Sequence, residues 1–343
     1  MAAQSVLGID LGSNAIKIVE LVKKGNNIAL SSLGSIPTPP RGLISDVPLD
    51  EQAVIDVLVK LLKEMKVVSK GVHASLPESN VFTRVIDLPN LTEKELSSSI
   101  KWEAEQYIPL PIDKVNIDYA IISRNNEANS MKVLLIAAPL TLIEKYTRIF
   151  ESANLEILSL ETDAIASSRI TPKSLPEKSN EMILNIGATT SIIGIVKDKS
   201  LIFVRTMSMA GNNLTRTIAD ELGFSPSQAE EYKRTYGLDR NQLEGKIFTT
   251  LSPVFQQLME EVKKVIAYFN GQYPQEKLTT ILLSGGSVRM PGLVSYIASE
   301  TSLDTQVVNP FEDISFNPTQ KAMIEANAPY FTVAVGLGIK EWL

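Results

Sequence analysis

The feature that most constrains this chain is a β-meander that occurs twice. Ser5–Asp10 is a β-rich run entering a Gly-containing turn, Ala15–Leu21 is a second run, and Asn27–Ser35 is a third. The same succession of strand, Gly/Ser/Thr turn, strand, polar turn and strand returns further on. There Met182–Ile186, Ile192–Val196 and Leu201–Met207 are the strands, and Gly187–Ser191 and Lys197–Ser200 the turns. A repeated supersecondary unit suggests a duplicated domain. At 343 residues the chain is long enough for two. The first turn is not a P-loop, because a strand rather than a helix follows it.

Between and after the meanders, helical and strand patterns alternate. Pro37–Pro40 and Gly42 break the chain, and Asp50 serves as the expected N-cap of a helix to about Lys66. That helix places Val54, Leu58, Leu61, Leu62 and Met65 on one face. Val81–Ile86 reads as a strand. Thr92 and Glu95 form a capping-box pattern opening a helix to about Tyr107, which Ile108-Pro-Leu-Pro111 ends. Ile117–Ser123 and Met131–Pro139 read as paired strands and Thr141–Ser152 as a helix, so 82–160 is expected to be an inserted α+β subdomain. Pro172–Asn180 is a polar linker. Helices are expected at Gly211–Gly223, from Ser225-Pro226 to Gly237, and from Ser252-Pro253 along Val254, Leu258, Val262, Val265, Ile266 and Phe269. Thr279–Leu283 is a strand, and Tyr330–Trp342 an apolar terminal helix.

Composition narrows the function classes. There is no cysteine, which excludes disulfides and thiolate metal sites. One histidine, His73, argues against a histidine metal cluster or a Ser-His-Asp triad; in or beside a strand, it is expected to be structural. The net charge of −6 gives no global footprint for nucleic acid. Apolar runs such as Val133–Pro139 are far shorter than the roughly 20 residues of a membrane-spanning helix. No basic region followed by an apolar core opens the chain, so a cytoplasmic protein is expected.

Four motifs carry the chemistry. In Gly8-Ile-Asp-Leu-Gly-Ser-Asn-Ala-Ile-Lys17, a hairpin turn can aim successive backbone N–H groups at phosphate oxygens, with Ser13 and Asn14 adding side-chain bonds. Asp10 at the strand end can hold the water shell of Mg²⁺, and Lys17 can offset phosphate charge. An ordinary hairpin with a polar tip carries the same residues. Leu184-Asn-Ile-Gly-Ala-Thr-Thr190 has the same shape and can cradle phosphates from the opposite side. In Ile281-Leu-Leu-Ser-Gly-Gly-Ser287, an apolar strand meets bare glycines that let a flat base or its phosphates approach the backbone, although a plain strand-to-helix turn reads alike. In Gln228–Gly237, Glu230 and Lys233 share a helical face and can reach ribose hydroxyls, or form a surface ion pair of little worth.

In this order the motifs resemble those of the actin-like ATPase superfamily, which includes actin, sugar kinases, DnaK-type chaperones and FtsA. Over essentially its whole length the chain looks most like the PilM family of type IV pilus assembly. Gly8–Leu21, Ile36–Gly42, Glu103–Pro109, Ala229–Gly237 and Ser284–Gly292 carry that likeness. The resemblance implies an α/β fold of two duplicated RNase-H-like domains with ATP and Mg²⁺ in the cleft between them and a 1C-type insert. Subdomain 1A would comprise 1–81, 161–180 and 327–343, and 1C would be 82–160. Subdomain 2A would comprise 181–210 and 278–326, and 2B would be 211–277. It implies Asp10, Gly12, Ser13, Asn14 and Lys17 at phosphate and Mg²⁺, and Gly187, Ala188 and Thr189 as the second phosphate turn. It also implies Glu230 and Lys233 at the ribose, and Gly285, Gly286 and Ser287 at the adenosine.

The family likeness extends to partners. It implies docking of the N-terminal cytoplasmic peptide of PilN in a groove between 1A and 1C, and through PilN a link to PilO, PilP and the pilus motor. The protein would be peripheral to the inner membrane through this partner, with self-association open. Trp102 and Tyr107, on the insert's helix, are core aromatics or flank that groove. FtsA-like proteins carry a basic amphipathic helix after a linker; the chain ends at Leu343 without that pattern. One departure bears on catalysis. Asn185 stands where the superfamily usually has Asp, so it can bond a metal-bound water but adds no charge. Glu161 and Asp163 are candidates to orient water, or an acid pair at a helix N-terminus. The expectation is ATP binding with slow or absent hydrolysis. An FtsA-like filament former, or an active ATPase or kinase, is the alternative.

Overall fold

The computed structural model describes residues 4–176 and 179–342. Part of the expected linker, 177–178, lies outside them. β1 (Gln4–Leu11), β2 (Ala15–Lys24) and β3 (Asn27–Pro37) form an antiparallel meander. α1 (Pro48–Glu64) crosses to β4 (Gly71–Leu76), which runs parallel to β1. Pro48 opens α1 because its fixed φ suits a first helical position; Asp50 sits in the first turn rather than at the N-cap.

β5 (Phe82–Pro89), α2 (Glu93–Glu105), β6 (Val115–Asn125) and β7 (Ser130–Pro139) make a separate unit, with strand order β5-β7-β6. Thr92 and Glu95 form the expected capping box. α2 buries Leu96, Ile100 and Ala104 against Ile86, Met131 and Val133. α3 (Leu140–Ser152) and β8 (Glu156–Thr162) belong elsewhere. α3 buries Tyr146, Ile149 and Phe150 in the core under the first meander, and β8 pairs in parallel with β4. The inserted unit therefore closes at residue 139, not 160; an amphipathic helix does not announce which of two sheets it covers.

α4 (Asp163–Ser168) leads to the second meander of β9 (Asn180–Ile186), β10 (Ser191–Lys197) and β11 (Ser200–Met207). α5 (Gly211–Leu222), α6 (Pro226–Tyr236) and α7 (Lys246–Gln272) cover it. α7 begins well before Ser252-Pro253 and carries Pro253 inside. Losing that ladder bond costs about 3 kcal/mol. The burial of Ile247 and Leu251, at about 1.5–3 kcal/mol each, offsets it.

β12 (Thr280–Ser284) lies parallel to β9, and α8 (Leu293–Thr301) and β13 (Asp304–Val307) complete this half. β14 (Ile314–Ser315) then crosses back to pair with β3, so 278–326 is shared between the halves. α9 (Lys321–Asn327) and α10 (Thr332–Gly338) finish the fold. The sheets read β14-β3-β2-β1-β4-β8 and β11-β10-β9-β12-β13, the same meander-plus-parallel-strands plan twice. Val19 and Leu21 of the first sheet share a core with Ile183, Ile192 and Val196 of the second and with Phe331 and Ala334. That joint core is the floor of an interdomain cleft.

Candidate functional site between the two domains

The cleft has a volume of about 1310 Å³, and both β-turns that open the meanders line it. At the first, the register sets Asp10 opposite Lys17 on paired strands, so the two side chains share a face. Lys17 Nζ donates to Asp10 Oδ2 at 2.5 Å. The turn between them is pinned from the residue after β3: Thr38 Oγ1 donates to the Gly12 carbonyl at 2.6 Å and Thr38 N–H to that of Asn14 at 3.1 Å. A side chain at Gly12 would sit 2.7 Å from the Ala15 carbonyl oxygen and 3.1 Å from Lys17 Nζ.

At the second turn, Gly187 N–H closes the hairpin onto the Thr190 carbonyl. The carbonyls of Gly187 and Ala188 accept from the N–H groups of Gly211 and Asn212 at 3.0 and 2.8 Å, which fixes α5 to the turn. The two turns meet across the cleft, where Thr189 Oγ1 donates to Ser13 Oγ at 2.9 Å. At the third motif, Gly285 has φ +95°, and a Cβ there would lie 2.5 Å from the Ile186 carbonyl oxygen and 2.6 Å from Asn185 Oδ1. The Gly-Gly turn thus lies against the strand that carries Asn185. Ser287 Oγ donates to the Gly187 carbonyl at 3.3 Å, tying the third motif to the second.

Glu230 and Lys233, three apart on α6, are 2.6 Å from each other. Lys233 also donates to Thr215 Oγ1 at 2.8 Å and the Gly211 carbonyl at 3.1 Å, and Thr215 donates to Glu230 at 2.6 Å. This pair is built rather than loose on the surface. Burial lowers the Lys233 ammonium below its ordinary value. Burial pushes Glu230 upward, but hydrogen bonds from Lys233 and Thr215 outweigh it and hold the carboxyl low.

The acid pair splits. Asp163, at the first position of α4, lines the cleft; it is half-buried, and its inaccessible Oδ1 has no hydrogen-bond partner. Burial, with Asp10 and Glu78 nearby, pushes its carboxyl well above the usual range against the pull of Lys17. Glu161 is not brought to the cleft. Its carboxylate is held by Arg169 at 2.5 Å and Lys340 at 2.6 Å, a structural clamp outside the cleft lining. His73 is likewise structural, its Nδ1 2.7 Å from Ser159 Oγ. Trp102 is 78% exposed on α2 rather than core, while Trp342 packs into the joint core. Sequence reasoning missed Tyr330, whose ring centroid lies 4.9 Å from Lys17 Nζ, and Thr215, which bridges Glu230 and Lys233. No local pattern marks either residue.

The donor set suits a magnesium–polyphosphate. Asp10 and Asp163 line the cleft beside the Lys17 ammonium, and Asp163 keeps an unused oxygen there. No cluster of three or more metal-ligating side chains occurs among the described residues, so a cation here would keep much of its water, as Mg²⁺ does. The glycines at 12, 187 and 285 keep the turns bare where a Cβ would fill the space. No helix among the described residues is long and apolar enough to cross a membrane.

Comparison with known proteins gives a consistent picture. The sequence model of a family described as type IV pilus assembly protein PilM matches residues 8–342. A solved PilM–PilN type IV pilus biogenesis complex superposes with a TM-score of 0.86 at 27% identity, covering 98% of both chains. The ethanolamine utilization protein EutJ of Carboxydothermus hydrogenoformans, at 14% identity and TM-score 0.59, and MreB5 of Spiroplasma citri bound to AMPPNP, at 13% and 0.56, share the fold. This is the expected actin-like fold. Among curated sequences, Escherichia coli EutJ is 27% identical over 147 residues, 42% of this chain. FtsA of Staphylococcus epidermidis is 23% identical over 256 residues, 67% of this chain. The chain spans about half the length of these two relatives, 45% and 54% respectively. FtsA of Bacillus subtilis is 19% identical over 89% of this chain and 78% of its own.

Proposed function

The chain belongs to the PilM family of type IV pilus assembly proteins, and from that premise we propose that it is an ATP-binding adaptor of pilus assembly that docks the N-terminal cytoplasmic peptide of a PilN-type protein. The observation that carries the reading is the likeness to the solved PilM–PilN complex over nearly all of both chains. The cleft supports its nucleotide half. Ser13, Asn14 and Lys17 with Gly12 would hold phosphates from one side, and Gly187, Ala188 and Thr189 from the other. Glu230 and Lys233 would meet the ribose, and Gly285, Gly286 and Ser287 the adenosine. Asp10 and Asn185 would bond water of a Mg²⁺ ion, which when bound supplies charge neutralisation for the polyphosphate.

Hydrolysis in this reading is slow or absent. Asn185 adds no negative charge, and Glu161 is committed to Arg169 and Lys340. Burial raises the Asp163 carboxyl above its ordinary range, which disfavours the charged form that would orient water. The partner would keep the chain at the cytoplasmic face of the inner membrane and link it to PilO, PilP and the motor. Calorimetric titration with Mg-ATP tests the nucleotide half: binding in the wild type that is lost in Asp10→Ala supports it, and no binding in the wild type overturns it. Steady phosphate release abolished by Asp10→Ala would instead make the protein an active ATPase. The FtsA likeness supports a filament-forming alternative, which pelleting with ATP would detect.

A further inference from the structure

Tyr330 joins parts of the cleft that come from different halves. Its ring lies over Lys17, with the ammonium 4.9 Å from the centroid, inside the range of a cation–π contact. The ring edge is 3.5 Å from the place a Cβ would occupy on Gly286. The preceding residue, Pro329, accepts a hydrogen bond from Gly285 N–H at 2.9 Å. One dipeptide therefore touches the lysine of the first turn and the Gly-Gly turn of the second domain. The tyrosine hydroxyl lies near Ser35 on β3.

The chemistry of Lys17 gives this contact a use. Its ammonium is largely buried and, in this structure, neutralised by Asp10. A magnesium–polyphosphate competes for both groups at once: the cation's water shell draws on Asp10, and the phosphates draw on Lys17. A ring face attracts the ammonium without a charge of its own, so it holds Lys17 whichever anion the ammonium faces. We propose that Tyr330 is a positioning residue of the nucleotide site, holding Lys17 toward the phosphates and coupling it through Pro329 to the Gly-Gly turn. The inference rests on the nucleotide reading above and names a residue and a dependence on phosphate that the reading does not.

The test replaces Tyr330 by Phe and by a graded series of fluorinated phenylalanines, which drain the ring quadrupole at nearly constant shape. Calorimetry then measures Mg-ATP, Mg-ADP and adenosine. Tyr330→Phe should bind ATP within about twofold of wild type. Affinity for ATP and ADP should fall stepwise with fluorination, reaching the level of Tyr330→Leu at about 2- to 30-fold weaker, the range of ring–cation contacts. Adenosine affinity should stay flat across the series, which a merely packed aromatic would not arrange. A flat ATP series, or a loss equal for adenosine and ATP, overturns the role of the ring. If wild type binds ATP normally, either result leaves the proposed function standing; if wild type binds no nucleotide, both readings fall.

Discussion

Gly8→Ala should destabilise this protein by about 3 kcal/mol, although it adds a single methyl group. Gly8 lies in β1 directly beneath α10. A Cβ there would come within 1.9 Å of the Ala334 carbonyl oxygen and 2.7 Å of the Gly338 nitrogen. Ordinary contact begins near 3.4 Å, so strand and helix must part by about 1.5 Å. Both neighbours are backbone atoms and have no rotamer with which to yield. α10 is buried along its whole length, and a gap of even 0.5–1 Å forfeits about a quarter to a half of the dispersion attraction across it. Overpacking costs about 1–3 kcal/mol in general, and rigid neighbours place this site at the upper end. The control is Gly271→Ala, near the end of α7, where an added Cβ meets nothing within 4 Å. There the substitution removes only chain entropy from the unfolded state and should stabilise by about 0.4–1 kcal/mol. Urea unfolding of the two variants gives opposite shifts of the midpoint at constant slope. A Gly8→Ala loss under 1 kcal/mol, or shifts of the same sign, would refute the packing argument.

Three further predictions concern the cleft. Asp163 has a raised folded-state pKa, so the folded protein binds this proton more tightly than the unfolded chain, and stability is lost as pH rises above the ordinary aspartate range; Asp163→Asn removes that loss, and its urea midpoint should gain on wild type as pH rises above that range, whereas a constant difference would contradict the assignment. Glu230→Gln should lower ATP affinity by about 10-fold and narrow the gap between ATP and 2′-deoxy-ATP, since a charged hydrogen bond is worth about 1.5–3 kcal/mol; an unchanged ratio in competition binding counts against a ribose contact. Asn185→Asp restores a carboxylate beside Gly285 and should raise magnesium-dependent phosphate release above the wild-type level, and an unaltered rate would show that residue 185 is not what limits hydrolysis.

What the sequence made legible was local. The two meanders, the capping box of α2, the Ser225-Pro226 start of α6 and the glycine stop at 237 are written in neighbouring residues, and all four motifs converge on one cleft. What it hid was decided by distant partners. α3 and β8 read as part of the insert because nothing in 140–160 names β4 as the strand β8 joins or the first meander as the core α3 fills. Pro253 looked like a helix start because its local cost is plain, while the burial of Ile247 and Leu251 depends on the second sheet. Glu161 and Asp163 are two residues apart and equally acidic, yet one faces Arg169 and the other the cleft. Tyr330 reached Lys17 across more than three hundred residues, a pairing that only the closed fold reveals.

The proposed function makes this chain an ATP-binding adaptor for a PilN-type peptide, and we propose that nucleotide in the cleft strengthens that docking. Calorimetry of a synthetic PilN N-terminal peptide against the protein with and without Mg-ATP tests it most directly. The account predicts micromolar or tighter binding that weakens when nucleotide is removed. Binding of equal strength in both states would contradict the gating, and absence of binding in both would contradict the adaptor role itself.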